Sequence, residues 1–458
     1  ERRRGGKAAR PMLILLGSLL AHAVYSLIIL FVIFGLIERL GFCVVSLFRC
    51  GRAPTLPTNG SAERRLPSAT SVCVQLPMFN ERAVATRSID AACRLRWPYG
   101  SFEVQVLDDS TDAEVRTKVD AAAAMWRSRG VRCEVVRRAR RDGYKAGALE
   151  YGRKQTSAEF LALFDADFVP EPDFLLRTIP SFFGSDGEPL LDLALVQGQW
   201  AHLNALDSLL TLSQSLSLDD HHSAQMVWRS AIVGFVNFTG TAGVWRAAAI
   251  EHAGGWRAAS LVEDCELSFR VLFAGYRTTF AEVPVPAELP ASLSAYKAQQ
   301  RRWTFGWAQL IRLHGAELLF GFRCPLLKKL HLCFHMCLSV QWPLWMAWQL
   351  AVPWLAYHKL LFYTYDHPGL LYMAPIFLHM TVSSIVACIA LGRRYVAPLR
   401  QHGSAAGLLL APLLLLRVVP AAVVAAGMLP HQCCAWVEGI LTTAEAEFET
   451  TPKNGSVG

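Results

Sequence analysis

Charge is scarce in this chain. Only 18% of its 458 residues are Asp, Glu, Lys or Arg, and 53% are hydrophobic, against about 25% and about 45–50% in soluble proteins. A uniformly soluble chain is excluded, because the apolar excess gathers at the N-terminus and in the last third. The 12 cysteines lack CxxC pairs and regular spacing, which argues against a zinc site or a disulfide framework. The net charge of +8 comes largely from Arg2–Arg4, Arg137–Arg141 and Arg301–Arg302, and no aromatics are interleaved with them. Nucleic acid is therefore not a partner. The runs read as solvated surface drawn to anionic lipid. There is no internal repeat.

The first apolar run, Met12 to Ile37, exceeds the roughly 20 residues of a membrane span. It lacks a small-residue cleavage site and is too long for a signal peptide, so it reads as a retained anchor within residues 1–50. Arg and Lys flank it on both sides, and the positive-inside rule gives no orientation. Residues 51–71 are a Pro/Gly/Ser/Thr-rich linker. Residues 72–311 read as an α/β domain. VCVQLPMFN, VQVLDDS, LALFDAD and DLALVQGQW are short apolar runs ending in polar residues, with helical stretches such as Asp112 to Gly130 between them. That alternation predicts a mainly parallel sheet. Residues 312–440 turn apolar again. Leu332–Leu355, Leu370–Leu391 and Leu408–Leu429 are each long enough to span, and Pro343 and Pro353 predict a kink or an interfacial piece in the first. This gives three or four spans, followed by residues 441–458.

Chemistry concentrates where strands end. Asp108 and Asp109 close VQVL, Asp165-Ala-Asp167 closes LALF, and Glu263-Asp264 follows a glycine-rich stretch from Gly240 to Gly255. Residues i and i+2 at a strand end point to one side, so both carboxylates of DAD reach one ion. Mg²⁺ or Mn²⁺ takes such oxygens together with substrate phosphates and neutralises charge on a diphosphate leaving group. One such motif alone would be a turn or helix cap. Two acidic pairs after two strands of one domain point to a metal-assisted site. Asp142-Gly-Tyr-Lys145-Ala-Gly147 allows close backbone approach and places a cation for phosphate. Gln299-Gln-Arg-Arg302-Trp303 supplies guanidinium donors and a flat face for a sugar ring. Its alternative is an interfacial helix.

WPYGSFEVQVLDDSTD, DGYKAGALEYG, FDADFVPEPDFLLRTIP, GTAGVWR, VEDCELSFR and QQRRW occur in this order between Val72 and Trp307. They resemble the processive family 2 glycosyltransferases, and among them the plant and algal cellulose synthase-like A and C proteins. The resemblance implies a GT-A-type α/β domain with a Rossmann-like mixed sheet, joined to an α-helical transmembrane region. It assigns Asn80, Glu81, Asp108, Asp109, Lys145 and Asp165 to the nucleotide donor, and Asp165 and Asp167 to Mg²⁺ or Mn²⁺. It makes Asp264 the general base, with Asp109 and Asp167 beside it in catalysis. Gln299, Arg302 and Trp303 fall at the acceptor and diphosphate. Phe448, Thr451 and Lys453 match a gating loop in which Thr450 replaces a Val.

The implied reaction moves a hexose, with inversion, onto a β-1,4-linked mannan or glucomannan chain. GDP-mannose is the favoured donor over UDP-glucose and a glucan backbone. The implied setting is a multi-pass Golgi membrane, with lipid and a second copy of the chain among the expected partners. A lipid glycosyltransferase such as a ceramide glucosyltransferase is the alternative within the fold. A non-catalytic scaffold or transporter explains the spans but not the acidic sites. Asn59-Gly-Ser61, Asn237-Phe-Thr239 and Asn454-Gly-Ser456 are glycosylation sequons, usable in the domain only if it is lumenal.

Overall fold

The computed structural model describes residues 2–49, 69–358 and 418–442, with 378, 381 and 382 as isolated positions. Its centre is a seven-stranded sheet in the order β3-β2-β1-β4-β6-β5-β7. The strands are β1 (Val72–Met78), β2 (Phe102–Asp108), β3 (Arg132–Val136), β4 (Phe160–Leu163), β5 (Leu193–His202), β6 (Gly243–Arg246) and β7 (Arg277–Ala287). β1, β2, β3 and β4 are parallel. β1 and β4 are covered on both faces and accordingly read as near-continuous apolar runs, while the edge strand β3 exposes Arg132 and Glu134. β6 runs antiparallel to both β4 and β5, while β5 and β7 pair in parallel. The sheet is therefore mainly parallel, as the strand and helix alternation predicts, and the one reversed strand β6 makes it mixed. The reversal rests on four residues, Gly-Val-Trp-Arg, too short to carry a strand signal of their own.

The helices are α1 (Arg2–Arg49), α2 (Ala85–Cys93), α3 (Ala113–Ser128), α4 (Tyr144–Arg153), α5 (Phe174–Thr178), α6 (Leu209–Asp220), α7 (Met226–Trp228), α8 (Ala247–His252), α9 (Glu263–Phe273), α10 (Leu293–Ala316), α11 (Leu326–Met336), α12 (Gln341–Tyr357) and α13 (Val418–Leu441). The stretch anticipated as a helix from Asp112 is α3. The Asp112 carboxylate caps it by accepting the backbone N–H of Glu114 and Val115, which satisfies two of the free donors of a first turn. π-turns at His221–Gln225 and Arg229–Val233 flank α7.

Among the described residues one helix is long and apolar enough to cross a membrane, over Met12–Val44. It is the upper part of α1. The run anticipated as a span from Leu332 to Leu355 is divided. α11 ends at Met336, a short 3₁₀ turn covers Leu338–Val340, and α12 starts at Gln341 with Pro353 inside it. The other two anticipated spans lie outside the described residues, except for the start of α13. The boundary expected at residue 311 falls inside α10, which runs on to Ala316. The Asn237 sequon is not an open acceptor: Asn237 is 3% exposed, and its amide donates to Phe238 O and accepts from His335.

Candidate active site

The C-terminal ends of β1, β2 and β4 form one edge of a cleft, the usual ligand edge of a parallel sheet. The cleft is lined by Phe79, Glu81, Asp109, Lys145, Asp165, Asp167, Gly240, Glu263, Asp264, Gln299, Arg302 and Trp303, among others. Ten of the residues singled out by sequence thus come together from stretches more than 200 positions apart. Asn80 and Asp108 stand just behind them. Phe448, Thr451 and Lys453 lie outside the described residues.

The first acidic pair is not free carboxylate. Asp108 accepts Nε and Nη2 of Arg137 at 2.9 and 2.7 Å, and Ser110 N at 3.0 Å. Asp109 accepts Nε and Nη2 of Arg138 at 3.0 and 2.5 Å. These are forked pairs, the strong kind. They correct the reading of Arg137 and Arg138 as solvated surface, while Arg140 is exposed as expected. The same Arg138 guanidinium donates to Asp142 O and Tyr144 O at 2.7 and 3.0 Å. It fastens a turn in which Gly143 and Tyr144 both have positive φ, 66° and 47°. Lys145 leaves directly from this turn. Arg141 lies over the Phe79 ring at 3.5 Å. Asn80, itself at φ 55°, accepts the N–H of Thr111 and Asp112 at 3.0 Å each. It shapes the loop that carries the acidic pair and is absent from the lining.

Lys145 Nζ donates to Asp165 Oδ1 at 2.5 Å and to Gly240 O at 2.9 Å. Burial works against its charge, but Asp165, Glu263 and Asp264 outweigh that and raise its pKa above the ordinary lysine value. Asp165 N is held by Thr241 Oγ1 at 2.9 Å. Asp167 is 2% exposed and lines the same cleft. Two carboxylates converging on one cleft, with room left for phosphate oxygens, fit the needs of Mg²⁺ or Mn²⁺. Among the described residues no cluster of three or more His, Cys, Asp or Glu forms a ready-made cage. A metal here would draw its remaining ligands from substrate and water.

Glu263 and Asp264 open α9 in its first turn, where carboxylates meet the positive end of a helix dipole. Burial pushes Glu263 up to about 7, with Asp264 adding to it and Lys145 opposing. Burial likewise pushes Asp264 up to about 6, against Lys145 and the backbone N–H of Cys265. A carboxylate poised near neutrality is suited to accept a proton. A methyl group at Gly240 would lie 3.0 Å from Asp264 Oδ2 and 3.4 Å from Lys145 Nζ. At φ 83°, glycine both allows the backbone path and leaves that corner open.

A second cavity of about 540 Å³ opens behind Asp264. The two spaces share Trp200, Leu218, Thr239, Val262, Asp264, Gln299 and Trp303. Trp303 and Trp200 stand 6.3 Å apart, and Trp200 stacks on His222 at 5.0 Å. α10, which carries Gln299 to Trp303, is held by α13: Thr304 Oγ1 donates to Gln432 Oε1 at 2.6 Å, Gln432 Nε2 donates to Gln300 at 3.2 Å, and Arg301 pairs with Glu438. Arg301 thus pairs with Glu438 while its side chain stays 46% exposed. Trp200, His222, Arg137 and Arg138 are site residues that sequence reading passed over. Only the run of arginines at 137–141 carried a signal, and its aspartate partners lie 29 residues away.

Comparison with known proteins agrees with this geometry. The chain is 43% identical over 267 residues to probable glucomannan 4-beta-mannosyltransferase 11 of Arabidopsis thaliana, covering 57% of this chain and 59% of that protein. It is 41% identical over 268 residues to glucomannan 4-beta-mannosyltransferase 1 of Oryza sativa subsp. japonica, covering 58% and 50%. The chain spans about half the length of the curated relatives it matches. Among solved structures, mannosyltransferase PcManGT from Pyrobaculum calidifontis, in complex with GDP-Man and Mn²⁺, superposes with a TM-score of 0.50 at 17% identity, covering 86% of this chain and 98% of that one. That likeness gives the GT-A fold. A family model matches residues 68–306, just over half of the sequence, and the chain belongs to the family it describes, glycosyltransferase like family 2.

Proposed function

We propose that this protein transfers mannose from GDP-mannose to the end of a β-1,4-linked mannan or glucomannan chain, with inversion. The observation that carries the reading is the meeting of two cavities at one carboxylate. The cleft at the strand ends holds the cationic and acidic groups suited to a nucleoside diphosphate. The second cavity holds aromatic and amide groups suited to a neutral glycan. Asp264 lies on the boundary. The relatives named as glucomannan mannosyltransferases support the choice of sugar and acceptor.

In this reading a hydroxyl at the glycan end enters from the second cavity and attacks the anomeric carbon of the donor. Asp264 takes the hydroxyl proton. The bond from that carbon to the diphosphate oxygen breaks, and GDP leaves with the electron pair. Lys145, fixed by Asp165 and Gly240 O, is placed to meet charge growing on the diphosphate. Arg302 offers further donors, and Trp303 a face for the terminal sugar. Asp165 and Asp167 would hold a divalent cation, which when bound supplies charge neutralisation at the diphosphate. The apolar run of α1 supports a membrane setting. The resemblance to cellulose synthase-like proteins supports a multi-pass Golgi protein.

The test is purified full-length chain with Mn²⁺ or Mg²⁺, a manno-oligosaccharide primer, and GDP-mannose or UDP-glucose. The expected result is GDP release coupled to growth of a β-mannanase-sensitive product. Growth from UDP-glucose alone would reassign the donor. A single-sugar lipid product, or silence with both donors, would overturn the reading.

A further inference from the structure

α1 carries two adjacent charges, Glu38 and Arg39, at 1% and 7% exposure. An apolar anchor has no need of either. Glu38 accepts Nε and Nη2 of Arg229 at 2.7 and 3.0 Å. Arg39 donates Nη2 to Asp220 at 2.6 Å and Nη1 to Gly35 O at 2.9 Å. The two pairs run in opposite senses between the same two elements. Gln225 joins them, donating to Asp220 Oδ2 at 2.6 Å and accepting Arg229 Nη2 at 3.0 Å. Asp220, Gln225 and Arg229 share a face because the π-turn at His221–Gln225 absorbs the extra residue. π-turns of this kind often mark functional sites.

Fastening alone does not account for the array. Buried ion pairs stabilise a fold no better than apolar side chains of similar size, and α1 already packs closely here, with Gly41 against Trp228. The array has a second property. Glu38, Arg39, Asp220 and Gln225 all line the second cavity, together with Trp303, Trp307 and Trp342. With Arg229 buried behind Glu38, the array sets two guanidinium groups against two carboxylates, so the wall presents its donors and acceptors as closed ion pairs. Such a wall, faced by aromatic rings, matches a neutral chain of sugar rings, whose edges carry hydroxyls and whose faces are apolar.

We propose that this array is a carbohydrate-binding wall for the acceptor arm, which makes α1 part of the acceptor site as well as an anchor. The inference rests on the reading of the second cavity as the acceptor's path. The wall lies away from the reacting atoms and acts by holding the glycan so that its terminal hydroxyl reaches Asp264.

The first test uses the wild-type protein. Hydroxyl-radical oxidation of Phe31 on α1 and of His221, both in the cavity lining, is expected to slow at least threefold when mannohexaose is added. Unchanged oxidation of both overturns the proposal. The second uses Arg39→Gln/Asp220→Asn, which leaves no unpaired charge. Calorimetric titration is expected to show about tenfold weaker mannohexaose binding, consistent with lost charge-assisted hydrogen bonds, at unchanged GDP affinity and melting temperature. Equal affinity in the folded variant overturns the proposal. If that variant unfolds, Arg39→Asp/Asp220→Arg keeps the pair with donor and acceptor exchanged and is read the same way. Loss of protection with sugar transfer intact sinks this proposal alone. Protection without nucleotide binding or transfer leaves it standing and sinks the catalytic reading.

Discussion

The two cavities are built by different parts of the fold and manage charge in different ways. In the strand-end cleft, the carboxylates, among them Asp165, Asp167, Glu263 and Asp264, outnumber the lining cations Arg141, Lys145 and Arg302. That excess of negative charge raises the pKa of Lys145, while burial raises those of the two carboxylates of α9. In the helix-lined cavity each charge of the wall has its counter-charge within 3 Å. The first arrangement is held ready for a cation and a diphosphate. The second is complete without ions and offers neutral polarity. Asp264 belongs to both, and in the proposed mechanism it receives a proton from one side while the leaving group departs on the other.

The most severe way to break the contrast is to remove the shared carboxylate. Asp264→Asn is expected to cut transfer by about 10³-fold, within the range of general-base catalysis, while GDP-mannose affinity by calorimetry changes little. Next is Gly240→Ala. Its methyl would crowd Asp264 and Lys145 at a left-handed position. A loss of about 100-fold in kcat is expected, with a fall in stability of about 1 kcal/mol from the backbone strain alone.

A third probe is pH. In the proposed mechanism Asp264 acts when deprotonated, and burial pushes its pKa up to about 6. Activity should therefore fall about tenfold per pH unit below 6 and flatten above about 7, where Glu263 has also lost its proton. A pH–rate profile of kcat/KM checks this, and a limb centred near 4 would contradict it. Smaller again is Arg138→Gln. It releases Asp109 and the turn before Lys145, and donor KM is expected to rise about tenfold with a lesser change in kcat. Partial rescue is expected from Arg138→Lys, which keeps the charge but not the fork. The smallest effect falls on the acceptor side. Gln432→Leu removes the hydrogen bonds to Thr304 and Gln300 and should lower stability by about 1–2 kcal/mol, measured by denaturant unfolding, with donor KM unchanged.

Much of the donor cleft was legible in the chain because each of its parts is local. An apolar run followed by Asp announces a strand end, and α/β order puts strand ends along one edge. Asp109, Asp165 and Asp167 fall where that logic places them, while Lys145, Asp264 and Trp303 stand on α4, α9 and α10 and line the same cleft. The partners of Asp108 and Asp109 were not legible. An arginine that folds back 29 residues to a carboxylate looks, in sequence, like one that points to water. The reversed strand β6 was hidden for a different reason: four residues in a glycine-rich stretch give too little pattern to assign a direction. The helix-lined cavity was the least legible. Its wall depends on π-turns, which shift the helical register without leaving a compositional trace, and on Glu38 and Arg39, which pass as the polar edge of an apolar run.

Asn80, Tyr144 and Ala242 are the described non-glycine residues with positive φ, at 55°, 47° and 55°. Each lies near the strand-end cleft: Asn80 in the loop after β1, Tyr144 at the start of α4 beside Lys145, and Ala242 two residues from Gly240. A protein engineer screening for heat resistance would find these three positions attractive, because glycine there would relieve backbone strain. The same exchange would loosen the loops that aim the nucleotide-facing groups, so variants selected for endurance should accumulate at these sites as slower enzymes.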